Sequence, residues 1–235
     1  MARYFEYGDA EVNYLRSRDK RLAAAMDAVG YVHRKMDEGS LFSGIVHQIV
    51  GQQVSNAAQA TVWGRLQGLL GEVTPRSVGD ASAADLQACG MTFRKVGYIR
   101  GIANRVESGE FDLDAVERMP DEEAIQALSS LPGVGRWTAE MLLLFNLGRP
   151  DILSYGDLAI QRGMRMVYHH RKVTRQMFER YRRRYSPYGS VASLYLWEVS
   201  RMDVPGYNHD FAPRPTSKSK QRPRPKGGQC RSRHI

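Results

Sequence analysis

The chain has 235 residues, enough to bury a substantial core as one domain or as two interlocked lobes. Its 34 Lys+Arg exceed its 25 Asp+Glu and leave a net charge of +9, which points to a polyanionic partner. That excess is local, because eight basic and no acidic residues fall between Ala212 and Ile235 and leave the rest near +1. Two cysteines, Cys89 and Cys230, exclude a disulfide framework and a cysteine-rich metal cluster, and no apolar run reaches the length of a signal segment or a membrane span. A soluble protein of a reducing compartment is expected, cytoplasmic and, in a bacterium, nucleoid-associated.

Along the chain the apolar period is helical almost throughout. Val12 and Leu15 fit one helix face, and Leu22, Met26 and Val29 fit another, with Asp19 placed to cap the second. Ser40 can cap a helix that buries Phe42, Ile45, Val46, Ile49 and Val50. Ser55 can cap the next, with Ala58, Val62, Leu66 and Leu69 on one stripe. Thr74-Pro75 pairs a cap with Pro at the first helical position, Gly90 closes a short helix that begins near Ser82, and Thr92 starts Phe93, Val96, Ile99, Ala103 and Val106. Further helices are predicted over Asp121 to Leu128, Trp137 to Leu144, Leu158 to Val167, Thr174 to Tyr185 and Ser190 to Arg201. No polar/apolar alternation is long enough for a strand, so the fold is predicted to be all-α. The proline- and lysine-rich end, 212–235, cannot bury apolar surface and is expected to be a disordered basic tail.

Leu131-Pro132-Gly133-Val134-Gly135 joins two of these helices, and Asp157 follows Gly135 by 22 residues. Two glycines one residue apart allow a sharp turn, and their exposed N–H groups can approach an anion. The positive end of the following helix aims at the same place, so the loop reads as a phosphate seat. A Gly-capped helix pair would show the same glycines. Asp157 by itself reads equally as the cap of the helix after it.

The two features together, with Gly156 before Asp157 and Trp137-Thr138-Ala139 after the hairpin, resemble the helix-hairpin-helix DNA glycosylases. The nearest branch is the monofunctional 3-methyladenine DNA glycosylase II type, without the α/β domain that precedes the long bacterial enzymes. The resemblance implies two helical lobes with the DNA site between them: a glycosylase domain over 1–211, with a central lobe at about 40–147 and a second lobe from 1–39 plus 148–211. It implies Asp157 as the catalytic residue, Gly133, Val134, Gly135 and Thr138 as phosphate contacts, and Trp137, Met141 and Tyr188 as the base pocket. It also implies Gln53, in Gly51-Gln52-Gln53-Val54-Ser55, as the wedge that fills the gap left by an extruded nucleotide. A sodium or potassium ion held by the carbonyls of Ser129, Leu131 and Val134 is a further family implication.

Trp137 stands where strand-nicking relatives carry a Schiff-base lysine, and two cysteines cannot build the iron–sulfur loop of another branch. The expected protein is therefore a cofactor-independent monomer that hydrolyses damaged, alkylated purines from double-stranded DNA. Its partner is DNA and not a membrane. The alternatives are a glycosylase for oxidised or deaminated bases and a non-catalytic DNA-binding protein. His47, His169 and His170 read as structural, and the Arg180 to Arg184 run as either a solvated face or a DNA contact.

Overall fold

The computed structural model describes residues 3–213, so the basic tail from residue 214 onward, Cys230 included, lies outside the described residues. The described residues form thirteen α-helices and only two isolated β-bridges, Tyr4 with Lys35 and Val204 with Tyr207, which is the all-α architecture expected. None of the helices is long and apolar enough to cross a membrane.

Chain order is α1 (Asp9–Arg18), α2 (Lys20–Val29), α3 (Leu41–Gly51), α4 (Asn56–Leu70), α5 (Pro75–Asp80), α6 (Ala83–Ala88), α7 (Phe93–Glu107), α8 (Leu113–Arg118), α9 (Asp121–Ser129), α10 (Arg136–Phe145), α11 (Leu158–Tyr168), α12 (Arg175–Tyr185) and α13 (Gly189–Ser200). Asp19, Ser40, Ser55, Thr74, Ser82, Thr92 and Thr174 each accept a backbone N–H in the first turn of the helix that follows. These side chains satisfy N–H groups that have no partner inside the helix, which is why so many boundaries can be read from sequence. The short α8, capped by Asp112, is a helix that periodicity did not reveal. Six residues carry too few turns to show a pattern.

Two sets of helices pack among themselves. One is α3 to α10, in which α3 touches α4, α7 and α10, and the other combines α1 and α2 with α11, α12 and α13. The apolar core runs through both without a break. In α4 only Leu66 is buried, whereas Leu69 is 45% exposed against the stripe expected from its spacing. The reason is position: α4 rests mainly on α3 alone, so one neighbour covers only a narrow part of its apolar face.

The tightest crossing is that of α11 on α13. A Cβ on Gly163 would come within 2.2 Å of the Leu196 carbonyl oxygen, so glycine is needed here for close approach and not for a special backbone angle. Gly163→Ala should therefore destabilise the protein by about 1–3 kcal/mol, the usual range for overpacking a core. A thermal melt that matches the wild type would show that the two helices do not meet this closely.

Candidate active site

The hairpin between α9 and α10 takes its shape from Gly133. Its φ of +82° lies in the left-handed region, and a Cβ there would sit 2.5 Å from the Tyr98 ring, so glycine is required twice over. Gly135, the N-cap of α10, has ordinary extended backbone, and a Cβ there would meet nothing within 4 Å. No side chain caps α10, and the first backbone N–H to bond back is Ala139, to Gly135 at 2.9 Å. The N–H groups before it are thus open to an external anion. Thr138 has a buried side chain, so its backbone N–H is what it can offer to a phosphate.

The α3–α4 turn leans on this hairpin. Gln52 donates its side-chain amide to the Gly133 carbonyl at 2.8 Å, and the Lys95 ammonium donates to the carbonyls of Val50 and Gln52 at 2.8 and 2.7 Å. Burial pushes the Lys95 pKa down from its usual value. Gln53 stands at the tip, exposed, with a φ of +60° that sets it apart from the helical backbone before it. Gln52, Gln53, Val54, Arg94, Lys95, Tyr98 and Gly133 border one groove, so the expected wedge and the expected phosphate seat share a surface.

Asp157 is both the helix cap and a cavity residue. Its Oδ1 accepts the N–H groups of Ala159 and Ile160, each at 2.9 Å, as an N-cap of α11. Its Oδ2 accepts the Trp137 indole N–H at 2.9 Å, which ties the start of α11 to the first turn of α10. The residue is 7% exposed, so three N–H donors hold an almost enclosed carboxylate in one orientation.

A cleft of about 520 Å³ opens over this carboxylate, a size typical of small-molecule sites. Trp137, Met141 and Phe145 line it from successive turns of α10, and Trp197, Glu198, Ser200 and Arg201 from the end of α13. Phe145 and Trp197 stack with ring centroids 5.5 Å apart, and the Arg34 guanidinium lies 4.6 Å from the Phe145 centroid. Arg34, Asp37 and His47 also line the cleft. The cleft is therefore an aromatic box with charged groups at its edges.

Trp137 and Met141 meet Asp157 in this cleft, as expected, but Tyr188 does not. Its ring packs edge-on against Tyr14 at 5.1 Å, at the start of α13, away from the cleft. Nine residues of helix separate it from Trp197, about 13 Å at 1.5 Å per residue, so the far end of α13 supplies the aromatic wall instead. Trp197, Phe145, Arg34 and Asp37 had no place in the site expected from sequence, and His47 was expected to be structural. The spacing of Met141 and Phe145, one turn apart on α10, was the available signal; nothing local marks the others.

Behind the site, Arg136 forks onto Glu122 with two bonds of 2.7 Å and reaches Glu140 at 3.0 Å. Glu140 is buried and accepts the Ser154 hydroxyl, three residues before Asp157. Burial raises the Glu140 pKa while the Ser154 hydroxyl and Arg136 pull it the other way. The network binds the hairpin helix to the loop that delivers Asp157.

The two hairpin glycines should separate in a melting experiment. Gly133→Ala should cost about 1–3 kcal/mol through left-handed strain and the collision with Tyr98. Gly135→Val should stay within about 0.5 kcal/mol of the wild type, because its side chain would point into open space. Equal losses in both variants would contradict this hairpin geometry.

The chain is similar to known proteins in sequence and in fold. The chain is 29% identical over 175 residues to DNA-3-methyladenine glycosylase 1 of Schizosaccharomyces pombe, covering 72% of this chain and 77% of that protein. A crystal structure of a DNA-3-methyladenine glycosidase from Bacillus halodurans superposes with a TM-score of 0.76 at 34% identity, over 84% of this chain and 92% of the other. The Schizosaccharomyces pombe 3-methyladenine DNA glycosylase in complex with abasic DNA superposes with a TM-score of 0.70 at 27% identity, over 82% of this chain and 97% of that one. Residues 46–187, which contain the α3–α4 turn, the hairpin and Asp157, match the family model of the HhH-GPD superfamily base excision DNA repair proteins, and the chain belongs to that superfamily.

Proposed function

We propose that this protein is a monofunctional DNA glycosylase that hydrolyses the N-glycosidic bond of alkylated purines in double-stranded DNA, giving an abasic site and a free base. The observation that carries the reading is the fixed Asp157 carboxylate on the floor of an aromatic cleft. Cleavage of the glycosidic bond builds positive charge on the deoxyribose. A carboxylate already oriented by three donors stabilises that charge without reorganising, and it can position or deprotonate the attacking water. Trp137 and Trp197 offer π-faces to a flipped, electron-poor base. Alkylated purines leave as neutral bases from a cationic state, so their departure does not depend on a second acid.

No lysine lines the cleft, and the nearby Lys95 is engaged by two backbone carbonyls. This supports hydrolysis over a Schiff-base route. The hairpin would hold the DNA backbone through Gly133, Gly135 and Thr138, with Gln53 entering the stack, whereas the expected contact at Val134 is not available because its N–H already donates to the Leu131 carbonyl.

The fit of a monovalent cation rests on the carbonyls of Ser129, Leu131 and Val134. Only that of Leu131 accepts a backbone N–H at the turn, from Val134 at 3.1 Å, so oxygen lone pairs remain for a hard ion. Such an ion would add positive charge beside the phosphate seat.

Asp157→Asn should lower single-turnover excision by at least about a hundredfold while the fold and abasic-DNA binding persist, because Asn caps a helix as well as Asp does. A melt that collapses together with activity would reduce Asp157 to a cap. Gly135→Val should weaken binding to DNA of any sequence, since a phosphate contact carries no sequence information.

Reaction type is open to a separate check. Borohydride should trap no protein–DNA adduct, and the product strand should be intact until treated with alkali. In a lesion panel, 3- and 7-methylated purines should react ahead of neutral lesions. Rapid release of a neutral oxidised purine with none from methylated DNA would overturn the substrate assignment and leave the glycosylase reading standing.

A further inference from the structure

Asp37 is the one residue of the cleft that neither fold nor proposed chemistry accounts for. Its backbone N–H is used, donating to the Phe145 carbonyl at 3.0 Å, and this fixes the residue beside the aromatic wall. Its Oδ2 is buried and has no hydrogen-bond partner. A buried carboxylate oxygen left without a donor is costly, and native structures keep few of them. Among the described residues no ion pair engages Asp37, whereas Glu198, the other carboxylate beside Asp157, is paired with Arg201 at 3.1 Å.

We infer that Asp37 is a specificity-determining residue of the base cleft, an anionic acceptor that selects a positively charged purine through its charge and its exocyclic amine. The inference rests on the glycosylase reading of the same cleft. A carboxylate only accepts hydrogen bonds, so it pairs with the amine of an adenine or guanine and repels a carbonyl in the same place. Alkylation puts a full positive charge on the ring and makes its amine a stronger donor, so both effects favour the damaged base.

The nearby charges do not cancel this field. Arg34 lies over the Phe145 ring but is exposed, so water screens it, while the Asp37 oxygen is enclosed and acts through a poorer dielectric. His47 lines the same wall, and burial pushes its pKa below the ordinary value against the opposing pull of Asp37, so near neutral pH it leaves the carboxylate uncompensated. With His47, Asp37 also borders a neighbouring cleft of about 660 Å³, which makes the pair a partition whose face toward Asp157 is the one at issue.

The test uses the full chain and two small probes. One is 3,9-dimethyladeninium, a permanent cation with an exocyclic amine, and the other is neutral 9-methyladenine. Binding is read from quenching of Trp137 and Trp197, which line the cleft. The wild type should bind the cation at least about tenfold more tightly, and Asp37→Asn and Asp37→Ser should each reduce that ratio at least about fivefold. An unchanged ratio in both variants, no preference in the wild type, or equal loss of both probes would overturn the inference. Thermal melts that match the wild type ensure that the variants are compared as folded proteins.

Excision assays answer the other question separately. A wild type that releases no base from any damaged DNA, yet shows the Asp37-dependent preference, would overturn the glycosylase reading and support this one.

Discussion

The Asp157 carboxylate is bonded on one oxygen to the start of α11 and on the other to the indole of Trp137 at the start of α10. Those helices belong to the two different packing sets, so one side chain joins them at the point where the cleft opens. A cap needs only Oδ1. The second oxygen is what makes the residue more than a cap, because it meets an aromatic donor that itself walls the cleft. One rotamer therefore caps α11 with one oxygen and meets the cleft wall through the other, so the two roles proposed for Asp157 do not exclude each other.

Rigidity around that point comes from polar groups placed where apolar packing alone would leave freedom. Arg136 is held by Glu122 in a bidentate pair and by Glu140, and Glu140 holds Ser154 in the loop before Asp157. A buried glutamate is expensive unless its oxygens are bonded, and here both are. The exposed Arg136–Glu122 arm adds little stability by itself. Its value lies in fixing the direction from which Glu140 is approached, and hence the distance between hairpin and carboxylate.

The hairpin and the α3–α4 turn form a second rigid unit. Gln52 and Lys95 bond to backbone carbonyls and leave Gln53 and Gly135 free at the surface. A backbone-lined anion seat and a projecting amide side by side suit a bent duplex, with phosphate contacts that position it and a side chain that enters the stack.

Nearly all the helices, most of their caps and the hairpin were legible in the sequence, because each is decided within a few residues by hydrogen-bond need, backbone freedom or apolar period, while Asp157 stood out through the family resemblance. Trp137 and Met141 were reached too, through the same resemblance. The remaining walls were not. Arg34, Asp37 and His47 come from the segment before and along α3, and Trp197 and Arg201 from the far end of α13, elements that meet only when α10 packs between them. Tyr188 shows the same limit from the other side, for its match to a family position implied a place in the pocket, whereas the far end of α13 lines the cleft here. Sequence determined which elements form and what chemistry Asp157 can do; the tertiary structure alone decided which distant side chains surround it, because side chains on separate helices become neighbours through packing and not through spacing.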